Sequence, residues 1–248
     1  MPPKKKNTKT DSDDKALKPS KLKIQNFYLK KEVQAFKAKT HCPNLKLHEI
    51  DVGSRVIILG SSGSGKTNIL TYMLNYFTNT YNNIYIIAKS LNEPLYKYIK
   101  HKLKDNVEMF EGMDELNSWD LNTKFKDKGQ SLIIFDDLVL EKNQEKIEQL
   151  YIRGRKLGGG CTIVYLTQSY YNTPSILRKN MTHLILRKVP NTQNLNMILK
   201  DISMGISKEE LQALYTKCVS EDIIGFLTIH LTKTGKDIFK KNFNENIY

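Results

Sequence analysis

No stretch of this 248-residue chain approaches the roughly 18 consecutive apolar residues that a bilayer-spanning helix needs. The lysines near the N-terminus are not followed by the apolar run of a secretory leader, so a soluble, unsecreted protein with no membrane partner is expected. Cysteine is scarce. Cys42, Cys161 and Cys218 are odd in number, far apart and without C-x-x-C spacing, which excludes a disulfide framework and points to reduced, buried thiols. The five histidines lack H-E-x-x-H spacing, and no metal cluster is expected from them. Acid is in deficit too, with 26 Asp and Glu against 39 Lys and Arg, a net of +13. What the chain does have is 40% hydrophobic residues, enough for one sizeable core.

The positive charge is unevenly placed. Residues 1–46 hold thirteen Lys against four acids (Asp11, Asp13, Asp14 and Glu32), net +9, which leaves +4 for the other 202 residues. Residues 1–23 are almost free of large apolar groups and read as a basic disordered tail, followed by a basic segment at 24–46. Such a tail can tether nucleic acid by neutralising phosphates, can import the protein into a nucleus through PPKKK, or can merely solubilise it. A main domain is expected over 47–231 and a C-terminal extension over 232–248.

Residues 60–67 read GSSGSGKT and follow the apolar run RVIIL. Gly60, Gly63 and Gly65 have no Cβ, so the loop with Ser61, Ser62 and Ser64 can curl its N–H groups around an anion. A helix opening at Lys66 adds its positive dipole end. The spacing matches G-x-x-x-x-G-K-[ST], in which Lys66 reaches the β/γ-phosphates and the Thr67 hydroxyl holds Mg²⁺. ATP and Mg²⁺ are therefore the expected cofactors.

Ile69, Leu70, Met73, Leu74 and Phe77 recur at helical spacing, as the loop requires. IYIIA (84–88), VEMFE (107–111), SLIIFDD (131–137), CTIVYLTQS (161–169), HLILR (183–187) and IIGFLTIHL (223–231) read as strands. Residues 143–157 read as an amphipathic helix ended by Gly158-Gly159-Gly160, and Ser207-x-x-Glu210 reads as a capping box. Strands alternating with helices predict an α/β fold, a mainly parallel sheet with helices on both faces.

In such a sheet ligands sit beyond the carboxyl ends of the strands. Asp136, directly after LIIF, fits the carboxylate that holds Mg²⁺. Asp137 is either the acid that deprotonates an attacking water or a cap for the next segment. Gln168 either senses the γ-phosphate or simply ends its strand. Arg153 and Arg155, beside a glycine-rich loop open to close approach, either serve a neighbour's γ-phosphate or form a solvated or DNA-facing patch, with Arg178 and Arg187 as substitutes.

GSSGSGKT, LIIFDD, the RGRK segment and IVYLTQS, in that order, make the chain resemble the viral DNA-packaging ATPases of the FtsK–HerA superfamily, nearest to the poxvirus-type enzymes of large nucleocytoplasmic DNA viruses and virophages. The resemblance spans roughly residues 45–231. It implies a RecA-like P-loop core with the P-loop strand central, a homo-oligomeric ring, hexameric or pentameric, and ATP-driven movement of double-stranded DNA into a preformed capsid. It also implies a portal or vertex partner and an intracellular place in a virus factory, the host nucleus or the virion. Carried over by position, Lys66 and Thr67 bind phosphate and Mg²⁺, Asp136 binds the metal, Asp137 activates water, Gln168 is the sensor and Arg155 the trans-acting arginine. The superfamily more often has Glu where this chain has Asp137. Competing readings are a small-molecule or nucleotide kinase, which needs an acceptor pocket, and an ATP-dependent DNA-binding switch or loader.

Overall fold

The computed structural model describes residues 25–37, 39–189, 191–202, 205–220 and 222–247. The basic tail expected at 1–23 lies outside them. The chain divides into two units after residue 38. In the first, Phe27–Leu29 and Lys31–Gln34 form short helical turns, and Phe27, Tyr28, Leu29 and, beyond the second turn, Phe36 are exposed.

The second unit is built on one nine-stranded sheet. Its strands are β1 (Arg55–Leu59), β2 (Asn83–Ala88), β3 (Val107–Glu111), β4 (Ser131–Asp136), β5 (Cys161–Thr167), β6 (His183–Leu186), β7 (Leu227–His230), β8 (Phe239–Lys241) and β9 (Glu245–Asn246). Their order is β3-β2-β4-β5-β1-β6-β7-β8-β9, which puts the P-loop strand at the centre. Six strands run parallel, and β7, β8 and β9 continue the sheet antiparallel.

The central strands are continuous apolar runs because both sheet faces are covered. Alternate residues feed two cores. Ile57, Ile133, Phe135, Tyr165 and Leu184 face one, with Ile147 and Leu150 of α3 (Glu145–Arg153), Leu177 of α4 (Ser175–Asn180), Leu195 of α5 (Thr192–Asp201) and Leu211 of α6 (Lys208–Ser220). Val56, Ile58, Ile134 and Val164 face the other, with Ile69, Leu70 and Met73 of α1 (Lys66–Tyr76) and Tyr96 of α2 (Pro94–Leu103). Helices cover both faces, as the alternation of elements predicts.

Several boundaries differ from the sequence reading. Residues 232–248, expected as an extension, contain strands that pair onto the sheet, with Leu227 opposite Lys241 and Ile229 opposite Phe239. The last expected strand begins at Leu227 instead of residue 223, because Gly225 N donates to Asp222 O at 3.2 Å in a turn packed on Cys218. Ser207 does cap α6, its Oγ accepting from Glu210 N at 3.1 Å. Cys161 and Cys218 are buried, but Cys42 is only half-buried, with its Sγ 3.8 Å from His48 Nε2.

Candidate active site

The carboxyl ends of β1, β2, β4 and β5 converge on a cleft of about 270 Å³. Its P-loop wall is formed by Ser62, Gly63, Gly65, Lys66 and Thr67, whereas Gly60, Ser61 and Ser64 do not line it. The glycines have different tasks. Gly63 and Gly65 take positive φ, 67° and 95°, where side chains are strained. Gly60 is needed for close approach, since a Cβ there would lie 2.5 Å from Ser64 Oγ and 3.1 Å from Arg187 Cβ. Ser61 is pinned from below, its N–H and hydroxyl both donating to Lys188 O at 2.8 and 3.0 Å.

Lys66 folds back over the loop, donating from Nζ to Gly60 O at 3.0 Å and Ser61 O at 3.1 Å. Burial lowers its pKa, opposed by Asp136, Asp137 and Glu93. A half-buried ammonium at a helix start, beside two left-handed glycines, is a ready receptor for a phosphate chain.

Asp136 is buried at the end of β4 and accepts a hydrogen bond from the Tyr96 hydroxyl of α2. Burial raises its pKa, while the Tyr96 hydrogen bond and Lys66 oppose the rise. Asp137 does not continue the strand. Its φ of 56° turns the chain, so both carboxylates line the same cleft instead of pointing to opposite sides of the sheet. Gln168 Nε2 donates to Asp137 Oδ1 at 3.3 Å across the β4–β5 ends. Thr67 Oγ1, Asp136 and Asp137 are hard oxygen donors, a set suited to Mg²⁺ with water completing its sphere.

Three cleft residues, Asn68, Glu93 and Leu95, escaped the sequence reading, and one of them is charged. Glu93, at the start of α2, accepts from Thr67 Oγ1 at 3.2 Å. A carboxylate soon after a parallel strand, next to a helix-starting Pro94, was the available signal.

Arg155 is not brought into the cleft. It lies at the amino-terminal edge of the sheet, against Gly53 and near Arg55, one strand length from the P-loop. The neighbouring glycines do not await another surface. A Cβ on Gly158 would sit 2.7 Å from Lys128 O and one on Gly159 2.8 Å from Gly129 C, so they serve packing within the chain. Arg153 donates to Asn122 Oδ1 at 2.6 Å, and Arg178 stacks on Tyr170 and Tyr171 and pairs with Asp201. Arg187 is buried, donating to Ile223 O, and is not available as a substitute.

The described residues contain no helix long and apolar enough to cross a membrane. The DNA packaging proteins OPG160 of Variola virus and of Vaccinia virus (strain Copenhagen) are each 26% identical over 220 residues, covering 78% of this chain and 79% of theirs. Among solved structures, the genome packaging NTPase B204 of Sulfolobus turreted icosahedral virus 2 in complex with sulfate superposes with a TM-score of 0.57 at 18% identity. That match covers 77% of this chain and 96% of B204. The B204 complex with AMPPCP gives 0.55 at 17% identity, covering 76% and 96%. These structures share the fold. The family model described as Poxvirus A32 protein matches residues 46–221, and the chain belongs to that family.

Proposed function

We propose that this protein is an ATPase whose hydrolysis drives double-stranded DNA into a viral capsid. The observation that carries the reading is the convergence of Lys66, Thr67, Asp136, Asp137 and Gln168 on one cleft, in a chain of the Poxvirus A32 family whose relatives are DNA packaging proteins. Lys66 and the Gly63–Gly65 backbone grip the β- and γ-phosphates. Thr67 and Asp136 hold Mg²⁺, which neutralises phosphate charge when bound. Asp137 accepts the proton of the attacking water through the carboxylate oxygen that Gln168 leaves free. Gln168 couples that carboxylate to β5, so loss of the γ-phosphate is felt at the strand end. The subunits act in a ring, with Arg155 presented to the next subunit, and the basic N-terminal segment holds DNA. A portal or vertex protein at the capsid receives the ring where genomes are packaged.

The test is an ATPase assay with and without long duplex DNA, run beside a panel of nucleosides as acceptors. Duplex should raise turnover, release phosphate to water and lose its effect steeply with salt. Transfer of phosphate to an acceptor without response to DNA would establish a kinase instead. Failure to displace a DNA-bound roadblock would reduce the motor to a switch or loader. For Arg155, inactive Arg155→Ala and Lys66→Ala subunits should regain activity when mixed, because intact cleft and intact arginine then meet. No recovery despite co-assembly would remove that role.

A further inference from the structure

At the amino-terminal edge of the parallel sheet, opposite the nucleotide cleft, lies a second cavity of about 590 Å³. Arg55 opens β1, and the P-loop follows Leu59 at the other end, so the two sites are separated by about 13 Å of strand. The cavity wall carries Lys46, Arg55, Arg155 and Lys233 against Glu49 and Asp51, four cations to two carboxylates. Both acids are engaged. Lys233 pairs with Glu49, and Asp51 Oδ1 accepts from Val52 N at 2.8 Å. Neither guanidinium has an ion-pair partner among the described residues, and Arg55 Nε is buried with no hydrogen-bond partner there. Burial and the nearby Arg155 charge both lower the pKa of Arg55. Arg55 is half-buried and Arg155 is exposed at the mouth of the cavity, so the two guanidiniums present like charge to one hollow that an anion entering from solvent can bridge.

The supports of both arginines are fixed. Gly53 has φ 85°, and a Cβ there would lie 3.0 Å from Arg155 Cβ, so only glycine lets the two segments meet. Gly53 N donates to Thr162 Oγ1 at 3.0 Å, which also accepts from the Tyr81 hydroxyl at 2.7 Å. Arg55 N donates to Thr182 Oγ1 at 2.9 Å, and that hydroxyl returns a bond to Arg55 O at 3.1 Å. Cross-strand bonds therefore present the arginines to a hollow, where planar forks can grip tetrahedral oxyanions.

We propose that Arg55 and Arg155 form a second anion site that takes a phosphate group, borne by a nucleotide or by the DNA backbone. The site belongs to each chain by itself and stands whether or not Arg155 also serves a neighbour.

Equilibrium dialysis of the full chain against labelled pyrophosphate tests this. The wild type should bind two per chain. Lys66→Ala, which disables the P-loop, should keep one, and adding Arg155→Gln should weaken that one at least tenfold. Arg155→Gln alone should retain the P-loop site, which reports that the chain is folded. Loss of all binding in Lys66→Ala, or binding indifferent to Arg155→Gln, would overturn the proposal. Competition on Lys66→Ala then separates the sources. Displacement by ATP marks a nucleotide, displacement by a short duplex marks DNA, and displacement by neither would overturn the assignment to a phosphate ester.

Discussion

Thr67 Oγ1 donates to Glu93 Oε2 at 3.2 Å, tying the P-loop helix to the segment that leaves β2. The hydroxyl proton is thereby turned toward Glu93, and the oxygen lone pairs are left for a cation. Glu93 also adds a third carboxylate to a cleft that must admit a polyanion.

Glu93→Gln keeps an acceptor for Thr67 but removes the charge. Unit charges about 6 Å apart in water-like surroundings interact by about 0.7 kcal/mol, roughly threefold in affinity. The variant should bind ATP about threefold more tightly in EDTA and need severalfold more Mg²⁺ for half-maximal hydrolysis. Calorimetry with and without Mg²⁺ measures both. Unchanged metal dependence would confine Glu93 to packing.

Phosphate capture and water activation are separable in this cleft. Lys66→Ala should lose about ten- to a hundredfold in ATP affinity, the scale of a charge-assisted hydrogen bond. Asp137→Asn should bind ATP nearly normally and stop turnover. Near-normal hydrolysis by Asp137→Asn would remove it as the base and turn attention to Glu93.

The P-loop was legible because its glycines, lysine and threonine are neighbours in sequence and act through local backbone geometry. The parallel core was legible because strands such as LIIF are apolar on both faces. Long-range placement was not. Glu93 joins the site because β2 lies beside β4, with Ala88 opposite Asp136. Arg55 and Arg155 meet through the pairing of β1 with β5. The turn at Asp137 was hidden by reading both acids as strand, and β8 and β9 were hidden because short polar strands carry little periodicity.

Asp136 should be a cost to the nucleotide-free fold. Its folded pKa is raised, so the unfolded chain ionises more readily, and this cost appears as pH rises through the ordinary carboxylate range. Asp136→Asn keeps an acceptor for Tyr96 and should unfold at a higher temperature at pH 7, while losing at least about a hundredfold in Mg²⁺-dependent turnover. A lower unfolding temperature would show that the charge stabilises the empty site.

Acid should loosen the amino-terminal edge of the sheet. Burial is the leading cause that lowers His48 to about 4, His183 to about 3 and His230 to about 4. Facing cations add to it at two of them: Lys233 and the imidazole of His230 at His183, and Lys233 and Lys240 at His230. Glu49 and Asp237 act in the opposite direction. The rings of His183 and His230 lie 4.7 Å apart, so protonating both would place two charges in one buried contact. The unfolded chain takes up these protons below about pH 6.5, whereas the folded chain holds them off until roughly pH 3–4. Stability is therefore full above pH 6.5 and falls as pH drops toward the folded values, by up to about 1.4 kcal/mol per pH unit for each histidine. The urea midpoint should drop markedly between pH 7 and pH 5. Imidazole resonances of His183 and His230 should stay neutral over that range. If either buried ring titrates near 6.5, its burial is not the source of the acid sensitivity.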